Sequence, residues 1–311
     1  MVEIVQYSED KKEEWNDFIT NSKNGNFMFN RNYMDYHSDR FVDNSLMFYM
    51  DGELVAVLPL SKHGNVLKSH GGLTFGGFVS NIKMKQHKMN DCFKELLNYL
   101  QQYHYEKIIY KKMPHIYSNQ QSEEDIYSLW VSGANLLKVE PSTTINLQEQ
   151  LKMPKGRKAQ ISRARREGVE IEEATDFDRF IELENEVLEM YHSAKAVHTG
   201  QELALLNSRF PENIKLFFAK KNDELLAGTL IFINKHIIHT QYMASSEQGR
   251  NIGALDLLIS TLIDKYKNEK KYFDFGISTE QDGQILNKGL ISQKEGFGGR
   301  TTVHQTFELK V

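Results

Sequence analysis

A run of basic residues stands out in the segment KGRKAQISRARR. Its six cations, uninterrupted by any acid, are Lys155, Arg157, Lys158, Arg163, Arg165 and Arg166. Guanidinium groups keep their charge and can bind two phosphate oxygens at once, so these residue types suit a phosphate site. A solvated helix face, neutralised by the acids from Glu170 to Asp178, would explain the same pattern. The whole chain has a net charge of −4, so any anion site must be local.

A glycine-rich stretch, KEGFGG, begins at Lys294. Its glycines allow backbone angles that other residues avoid and allow close approach to a ligand. A predicted strand ends in the sequence Asp274-Phe275-Gly276, and a loop that contains Ser278 leads from it towards this stretch. The pattern is compatible with a ligand-contacting loop. It is equally compatible with a bulge or hairpin that closes a sheet, in which Lys294 would be a surface lysine.

The secondary-structure elements that must position these residues are predicted from a pattern that occurs twice in the sequence. Residues 46–60 read LMFYMDGELVAVLPL, and residues 216–232 read LFFAKKNDELLAGTLIF. Each is an apolar run, a polar turn (Asp51-Gly52 or Asn222-Asp223), the pair Glu-Leu and a second apolar run. Such turn residues between apolar runs predict a β-hairpin.

The parallel continues after each hairpin. A third strand is predicted in HGGLTFGGFVS and in HTQYMASSEQG. An apolar stripe at helical spacing follows, first from Phe93 to Leu100 and then from Leu255 to Tyr266, and each helix leads into a returning strand. Both halves are therefore predicted to be mixed α/β layers.

The boundary between the halves is predicted near residues 145–152, which gives domains at 1–148 and 149–311. The basic segment reads as a helix over 154–167, with Pro154 at its first position and Gly168 as its terminator. A strand, VEIEEA, should follow. An acidic amphipathic helix, DFDRFIELENEVLEMYHSA, should begin at Thr175 or Asp176.

Composition narrows the class of protein. The 311 residues suggest two domains, and 40% apolar with 26% charged residues is ordinary for a globular protein. Cys92 is the single cysteine, which excludes an internal disulfide. No signal peptide or apolar run of membrane-spanning length is apparent, so a cytoplasmic location is expected. His236 and His239 should face opposite sides of a strand, so we expect no metal site.

Three segments in this order and spacing resemble the FemAB-like acyltransferases. They are RKAQISRARREGVEIEEA, YMASSEQGRNIGALDLLISTLIDKYKNEKKYFDFGIS and GLISQKEGFGG. The family includes the peptidoglycan-bridge aminoacyltransferases of cell-envelope biogenesis. The resemblance implies an α/β fold of two tandem GNAT-like domains packed against each other, and an N-acyltransferase. The likeness is strongest over residues 155–300.

The resemblance also implies roles for individual residues. The family's active-site lysine before a Gly-Phe-Gly turn corresponds to Lys294. Basic residues near the domain junction, which contact substrate phosphates, correspond to Arg157 and Arg163, with Lys155, Gly276 and Ser278 as further candidates. The expected acceptor is an amine on a nucleotide-sugar, glycan or cell-wall precursor, and the expected donor is acyl-CoA, such as acetyl-CoA.

The sequence departs from the pattern in two places. A GNAT pyrophosphate loop reads Gln/Arg-x-x-Gly-x-Gly/Ala, and EQGRNIGALDLL supplies Arg250 and Gly253 but has Leu255 in place of the second small residue. The long basic arm of many enzymes that use transfer RNA is missing. A helix starting near residue 252 could still bind an anion at its N-terminus.

A mechanism follows as a hypothesis. An amine attacks an ester or thioester carbonyl, and the oxyanion that forms needs donors. Lys294 would stabilise that charge or a substrate phosphate, and the Tyr242 phenol would protonate the leaving group. Asp274 would orient the amine. Tyr242 as a core aromatic and Asp274 as a turn cap are the structural alternatives.

Two alternative functions stay open at this point. One is a peptidoglycan-bridge aminoacyltransferase whose donor is aminoacyl-tRNA. The other is a non-catalytic module that binds RNA or a phosphorylated partner through the basic helix. DNA binding is not expected, because the chain shows neither a basic domain nor a recognised DNA-binding motif.

Overall fold

The computed structural model describes residues 1–192 and 195–311, and of residues 191 and 192 the backbone alone. The chain divides into two compact units, residues 1–140 with 303–311, and residues 141–302. These limits differ from the predicted domains, because the last strand of the chain pairs within the first unit. The predicted acidic helix extends to residues 193 and 194, which lie outside the described residues.

The first unit carries a sheet of order β1-β3-β4-β7 and the paired strands β8-β6-β5-β2. Residues 305–310 add a further strand, antiparallel to β8. Helix α3 buries Phe93, Leu96 and Leu100, as its apolar spacing predicts. The elements are β1 (Val2–Gln6), α1 (Lys12–Asn21), α2 (Arg31–Met34), β2 (Val42–Asp43), β3 (Leu46–Met50), β4 (Glu53–Leu58), β5 (Ser61–His63), β6 (Val66–Lys68), β7 (Val79–Ser80), α3 (Gln86–Gln102), β8 (Lys107–Lys112), α4 (Glu124–Val131) and β9 (Asn135–Asn146).

The second unit is built on the strand order β10-β11-β12-β13-β14-β9. The pairs are antiparallel except β13 and β14, which run parallel. The elements are α5 (Lys155–Arg166), β10 (Glu170–Ala174), α6 (Phe177–His192), α7 (Gly200–Arg209), β11 (Ile214–Lys221), β12 (Glu224–Ile233), β13 (Ile237–Ser245), α8 (Glu247–Ile252), α9 (Ala254–Tyr266), β14 (Tyr272–Ile277), β15 (Thr279–Glu280), β16 (Ile285–Leu286) and α10 (Lys288–Glu295). The last strand is β17 (Arg300–Lys310), of which residues 303–310 belong to the first unit.

The two predicted hairpins are present and share their irregularities. Both turns have positive φ at their two central residues, Asp51-Gly52 and Asn222-Asp223, as two-residue hairpin turns require. Each hairpin also has a register shift close to the turn, after Phe48 in β3 and after Ala219 in β11. The same turn and the same bulge in both halves support the internal duplication.

Each face of the second unit's sheet is covered by helices. Helices α5 and α9 share one apolar core with inward residues of the sheet such as Phe217 and Ile238. Helix α6 packs on β12 and β13, where a Cβ on Gly228 would lie 2.7 Å from Phe180. The predicted mixed α/β class is thus confirmed.

Three local predictions need correction. The third strand of the first unit is only the short β7, and an unpredicted β5–β6 hairpin over residues 61–68 precedes it. Helix α7 was not predicted, although Thr199 and Glu202 form a capping box at its start. Lys294 lies on α10 rather than in a loop. In the part of the chain described here, every helix is too short or too polar to cross a bilayer.

Candidate functional site

The parallel strands β13 and β14 separate inside the second unit. Their pairing ends at His239 and Asp274, whereas β13 continues to Ser245. The Asp274 carboxylate is fully buried at this fork. Its Oδ1 accepts hydrogen bonds from Ser142 Oγ (2.6 Å) and Thr144 Oγ1 (2.7 Å).

The other carboxylate oxygen of Asp274 binds both separating strands. Oδ2 accepts from His239 Nδ1 at 2.9 Å and from the Gly276 amide at 3.1 Å. Because a buried carboxylate needs such donors, these four bonds fix the geometry of the fork. Asp274 was predicted either to orient an amine or to cap a turn. The hydrogen bond from the Gly276 amide is that of a turn cap.

Lys294 is anchored on the far side of the same fork. Its side chain is buried, and Nζ donates to the carbonyl oxygens of Gly276 (3.0 Å) and Ile277 (2.7 Å). Burial lowers the pKa of Lys294 to about 8, although the charge of Asp274 acts in the opposite direction. The structure therefore brings together three predicted site residues, Lys294, Asp274 and Gly276. Ser278 is buried next to them, with its amide donating to Pro141.

Tyr242 lies on the part of β13 beyond the fork. Its hydroxyl is 2.6 Å from His198 Nδ1, just before α7. Burial raises the pKa of Tyr242 to about 12, and the charge of Glu184 contributes in the same direction. The phenol is therefore protonated at neutral pH and can act as a proton donor.

Glu184 is a functional candidate that the sequence analysis did not single out. It lies on α6, is 6% exposed, and its Oε2 has no hydrogen-bond partner among the described residues. Burial raises the pKa of this carboxyl to about 7. The signal was present in the sequence, since Glu184 interrupts the apolar stripe of α6 between Phe180 and Val187 at helical spacing.

A cavity of about 390 Å³ opens beside these residues. Its charged lining consists of the carboxylates Glu184 and Asp256 and the guanidinium of Arg250, which donates to the Ser245 carbonyl at 2.7 Å. The Glu184 carboxyl suits an amine-bearing ligand, because its Oε2 has no hydrogen-bond partner among the described residues. The full lining is Glu184, Val187, Leu188, Met243, Ser245, Gly249, Arg250, Leu255, Asp256, Leu290 and Gln293.

The start of α9, where a helix could bind an anion, is covered by α5. Gly253 has φ of +80°, and a Cβ there would lie 2.8 Å from the Gln160 carbonyl oxygen. Arg157 forms an ion pair with Asp256 in the first turn of α9 and donates to the Gln293 carbonyl at 2.8 Å. Its guanidinium also lies 4.3 Å from the centre of the Phe297 ring. Arg157, a predicted phosphate ligand, thus joins α5, α9 and α10.

The other five cations of α5 are exposed. In residues 1–192 and 195–311, no carboxylate oxygen lies within 4.0 Å of their charged groups. The expected neutralising acids pair elsewhere, Glu172 with Lys220 and Glu173 with Lys215. Four of the five share one side of the helix by its periodicity, namely Lys155, Lys158, Arg165 and Arg166.

The two histidines near the start of β13 have different surroundings. His239 is bound to Asp274, and His236 precedes the first residue of the strand. Within the described part of the chain, no group of three His, Cys, Asp or Glu residues is arranged to hold a metal ion.

Comparison with known proteins agrees with the fold. The model of the acetyltransferase (GNAT) domain family matches residues 155–282. The solved structure of FemX aligns with a TM-score of 0.70 and 13% identity, covering 99% of this chain and 97% of that one. L-PGS from Bacillus licheniformis aligns with a TM-score of 0.65 and 16% identity, covering 98% and 92%. No curated protein sequence matches the chain significantly.

A tandem GNAT protein from the clavulanic acid biosynthesis pathway aligns with a TM-score of 0.54 and 10% identity, over 100% of this chain and 98% of that one. Residues 155–282 thus match the acetyltransferase (GNAT) domain family, and the whole chain has the fold of tandem GNAT proteins. The predicted resemblance to FemAB-like proteins is confirmed in the fold, and the match to the acetyltransferase (GNAT) domain family agrees with the predicted enzyme class, an N-acyltransferase.

Proposed function

We propose that this GNAT-fold N-acyltransferase transfers an aminoacyl group from an RNA-linked ester to the amine of a cell-wall precursor. The observation that carries the proposal is the division of charge within α5. The helix uses Arg157 to close the start of α9, and it exposes its other five cations. Phosphates are therefore expected on the outer face of α5 and not at the start of α9.

The cavity supports an amine-bearing ligand. Asp256 occupies the first turn of α9, the position where a GNAT enzyme that uses coenzyme A would place a pyrophosphate. Its ion pair with Arg157 occupies the start of the helix and withdraws that cation from any diphosphate. Apolar side chains from α6, β13 and α9 supply the rest of the wall and fit an aminoacyl side chain.

The predicted site residues have separate roles in this proposal. Tyr242 protonates the leaving oxygen, and His198 holds its hydroxyl. Lys294 and Asp274 are positioning residues that hold the ends of β13 and β14, with Gly276 and Ser278 in the segment they fix. Lys155 belongs to the exposed phosphate-binding face, Arg163 is exposed beside that face, and Arg250 lies at the cavity wall.

An acyl-CoA-dependent transfer is the second candidate. The match to the acetyltransferase family over residues 155–282 favours it. The cavity also reaches Gly249 in α8 and Leu255 in α9, on either side of Gly253. Acetyl-CoA is then the simplest donor. The two candidates differ in the donor that the wild-type protein consumes.

The deciding experiment compares the two donors directly. Purified protein is incubated with a peptidoglycan precursor that carries a free amine. One reaction contains a pool of transfer RNA charged with radiolabelled amino acids, and the other contains acetyl-CoA with thiol detection. We expect label transfer in the first and no thiol release in the second. Thiol release without label transfer would replace the proposal by the second candidate. If neither label transfer nor thiol release occurs, the result would favour a non-catalytic binding module.

RNA binding is tested by the variant K158Q/R165Q/R166Q. Wild type should lose about 100-fold in RNA affinity between 50 and 200 mM salt, because several phosphates are neutralised. The variant should bind more weakly with a shallower salt dependence. The matched control, K85Q/K94Q/K235Q, removes the same charge at exposed lysines elsewhere and should behave as wild type. Equal losses in both variants would mean non-specific attraction.

A further inference from the structure

We infer that Glu184 is the catalytic base that removes the proton from the attacking amine. This inference deepens the proposed function and rests on it. It depends on where the carboxylate lies and on what surrounds it. Among the cavity-lining acids, Asp256 is neutralised by Arg157, whereas Glu184 has no cation bonded to it in the described structure.

The position of Glu184 is set by its helix. Phe180 and Ile181 of the preceding turn are buried, and they fix the face of α6 that packs on β12 and β13. Glu184 follows one turn later on that face, so its side chain is directed into the cavity. A buried carboxylate oxygen without a partner is costly, so an N–H of a neutral amine in the ligand would satisfy it.

The groups around Glu184 are few. Tyr242 faces it from β13 with His198 bonded behind the phenol, and Arg250 and Asp256 line the same cavity from α8 and α9. Helix α10 contributes the uncharged Leu290 and Gln293. Burial raises the pKa of Glu184 to about 7, which poises it to exchange a proton near neutral pH.

The transfer step balances with residues of this chain. The amine nitrogen forms a bond to the ester carbonyl carbon, and Glu184 Oε2 takes the N–H proton. The carbonyl then re-forms while the bond from carbon to the ester oxygen breaks. Tyr242 donates its proton to that oxygen, and the proton on Glu184 restores the phenol. The products are an amide and a free hydroxyl on the donor.

The test is the pH dependence of turnover in E184Q against E182Q. Glu182 is exposed on the same helix and provides a matched loss of charge. With the donor that wild type uses, kcat/KM should rise with pH, and this rise should have an apparent pKa near 7. E184Q should lose this rise and at least about 100-fold in kcat/KM, as expected for removing a general base. E182Q should retain both.

A fall of less than threefold in E184Q would overturn the inference while leaving the proposed function intact. If wild type consumes neither donor, the proposed function fails. The pKa of the Glu184 carboxyl is then measured by carbon-detected NMR of protein that carries labelled glutamate. A side-chain resonance that titrates near 7 and disappears in E184Q supports a base poised in the cavity. Titration of that resonance near 4.5 would refute it.

Discussion

The Nδ1 atom of His239 lies 2.9 Å from Oδ2 of Asp274, in the last pair of residues that β13 and β14 share. Beyond this pair the two strands separate, Met243 and Ser245 of β13 line the cavity, and the Tyr242 hydroxyl bonds to His198. One buried histidine–aspartate contact therefore marks the point where the sheet opens into the candidate site.

Replacing Asp274 by Asn should destabilise the protein by about 3 kcal/mol, because a carboxylate that accepts four hydrogen bonds becomes an amide with one acceptor oxygen. Urea unfolding measures this loss. D264N, at an exposed aspartate on α9, is the control and should change stability by less than about 0.5 kcal/mol. Similar stability of the two variants would show that Asp274 does not organise the fork.

Lys294→Met keeps the length of the side chain and removes its ammonium group. Turnover should fall at least tenfold as Gly276 and Ile277 lose their anchor, and stability should also change. Burial lowers the pKa of Lys294 from 10.5 to about 8, so between these values the unfolded chain binds the extra proton. The free energy of unfolding of wild type should therefore rise relative to K294M by about 3 kcal/mol from pH 8 to pH 10.5.

This Lys294 prediction is checked by chemical denaturation at several pH values, with K288M, at an exposed position on the same helix, as control. A constant difference between wild type and K294M across this range would mean that the lysine titrates normally.

Glu184→Gln should make the protein more stable at pH 8 than wild type. Burial raises the pKa of Glu184 from 4.5 to about 7, so within this window the folded state binds a proton that the unfolded chain has lost. The free energy of unfolding of wild type should thus fall, relative to E184Q, by about 3 kcal/mol from pH 4.5 to pH 7. Parallel stability curves for the two proteins in that window would contradict the burial of a neutral carboxyl.

Arg157→Met should cost about 2 kcal/mol, because Asp256 keeps its charge without a partner and the contact with the Phe297 ring is lost. The double variant R157M/D256N should recover part of this loss, since both charges are then absent. Thermal and urea unfolding of the single and double variants measure the coupling. Additive effects would mean that the two side chains do not interact in solution.

Much of the fold could be read from local patterns. The two hairpins follow from Asp-Gly and Asn-Asp between apolar runs, and the start of α6 follows from Asp176, whose side chain accepts from the Arg179 amide. The basic helix was predicted over 154–167 and spans 155–166. These features depend on residues close together in the chain, so the sequence alone determines them.

The candidate site depends on partners far apart in the chain. Asp274 meets Ser142 and Thr144, which are 130 or more residues away, and Arg157 meets Gln293. By itself the sequence determined the residue types, the tandem repeat and the basic character of α5. Only the tertiary structure decided that Arg157 closes α9, that Lys294 binds carbonyl groups and that Glu184 enters a cavity. Burial and long-range pairing set those roles, and neither is encoded by the spacing of neighbouring residues.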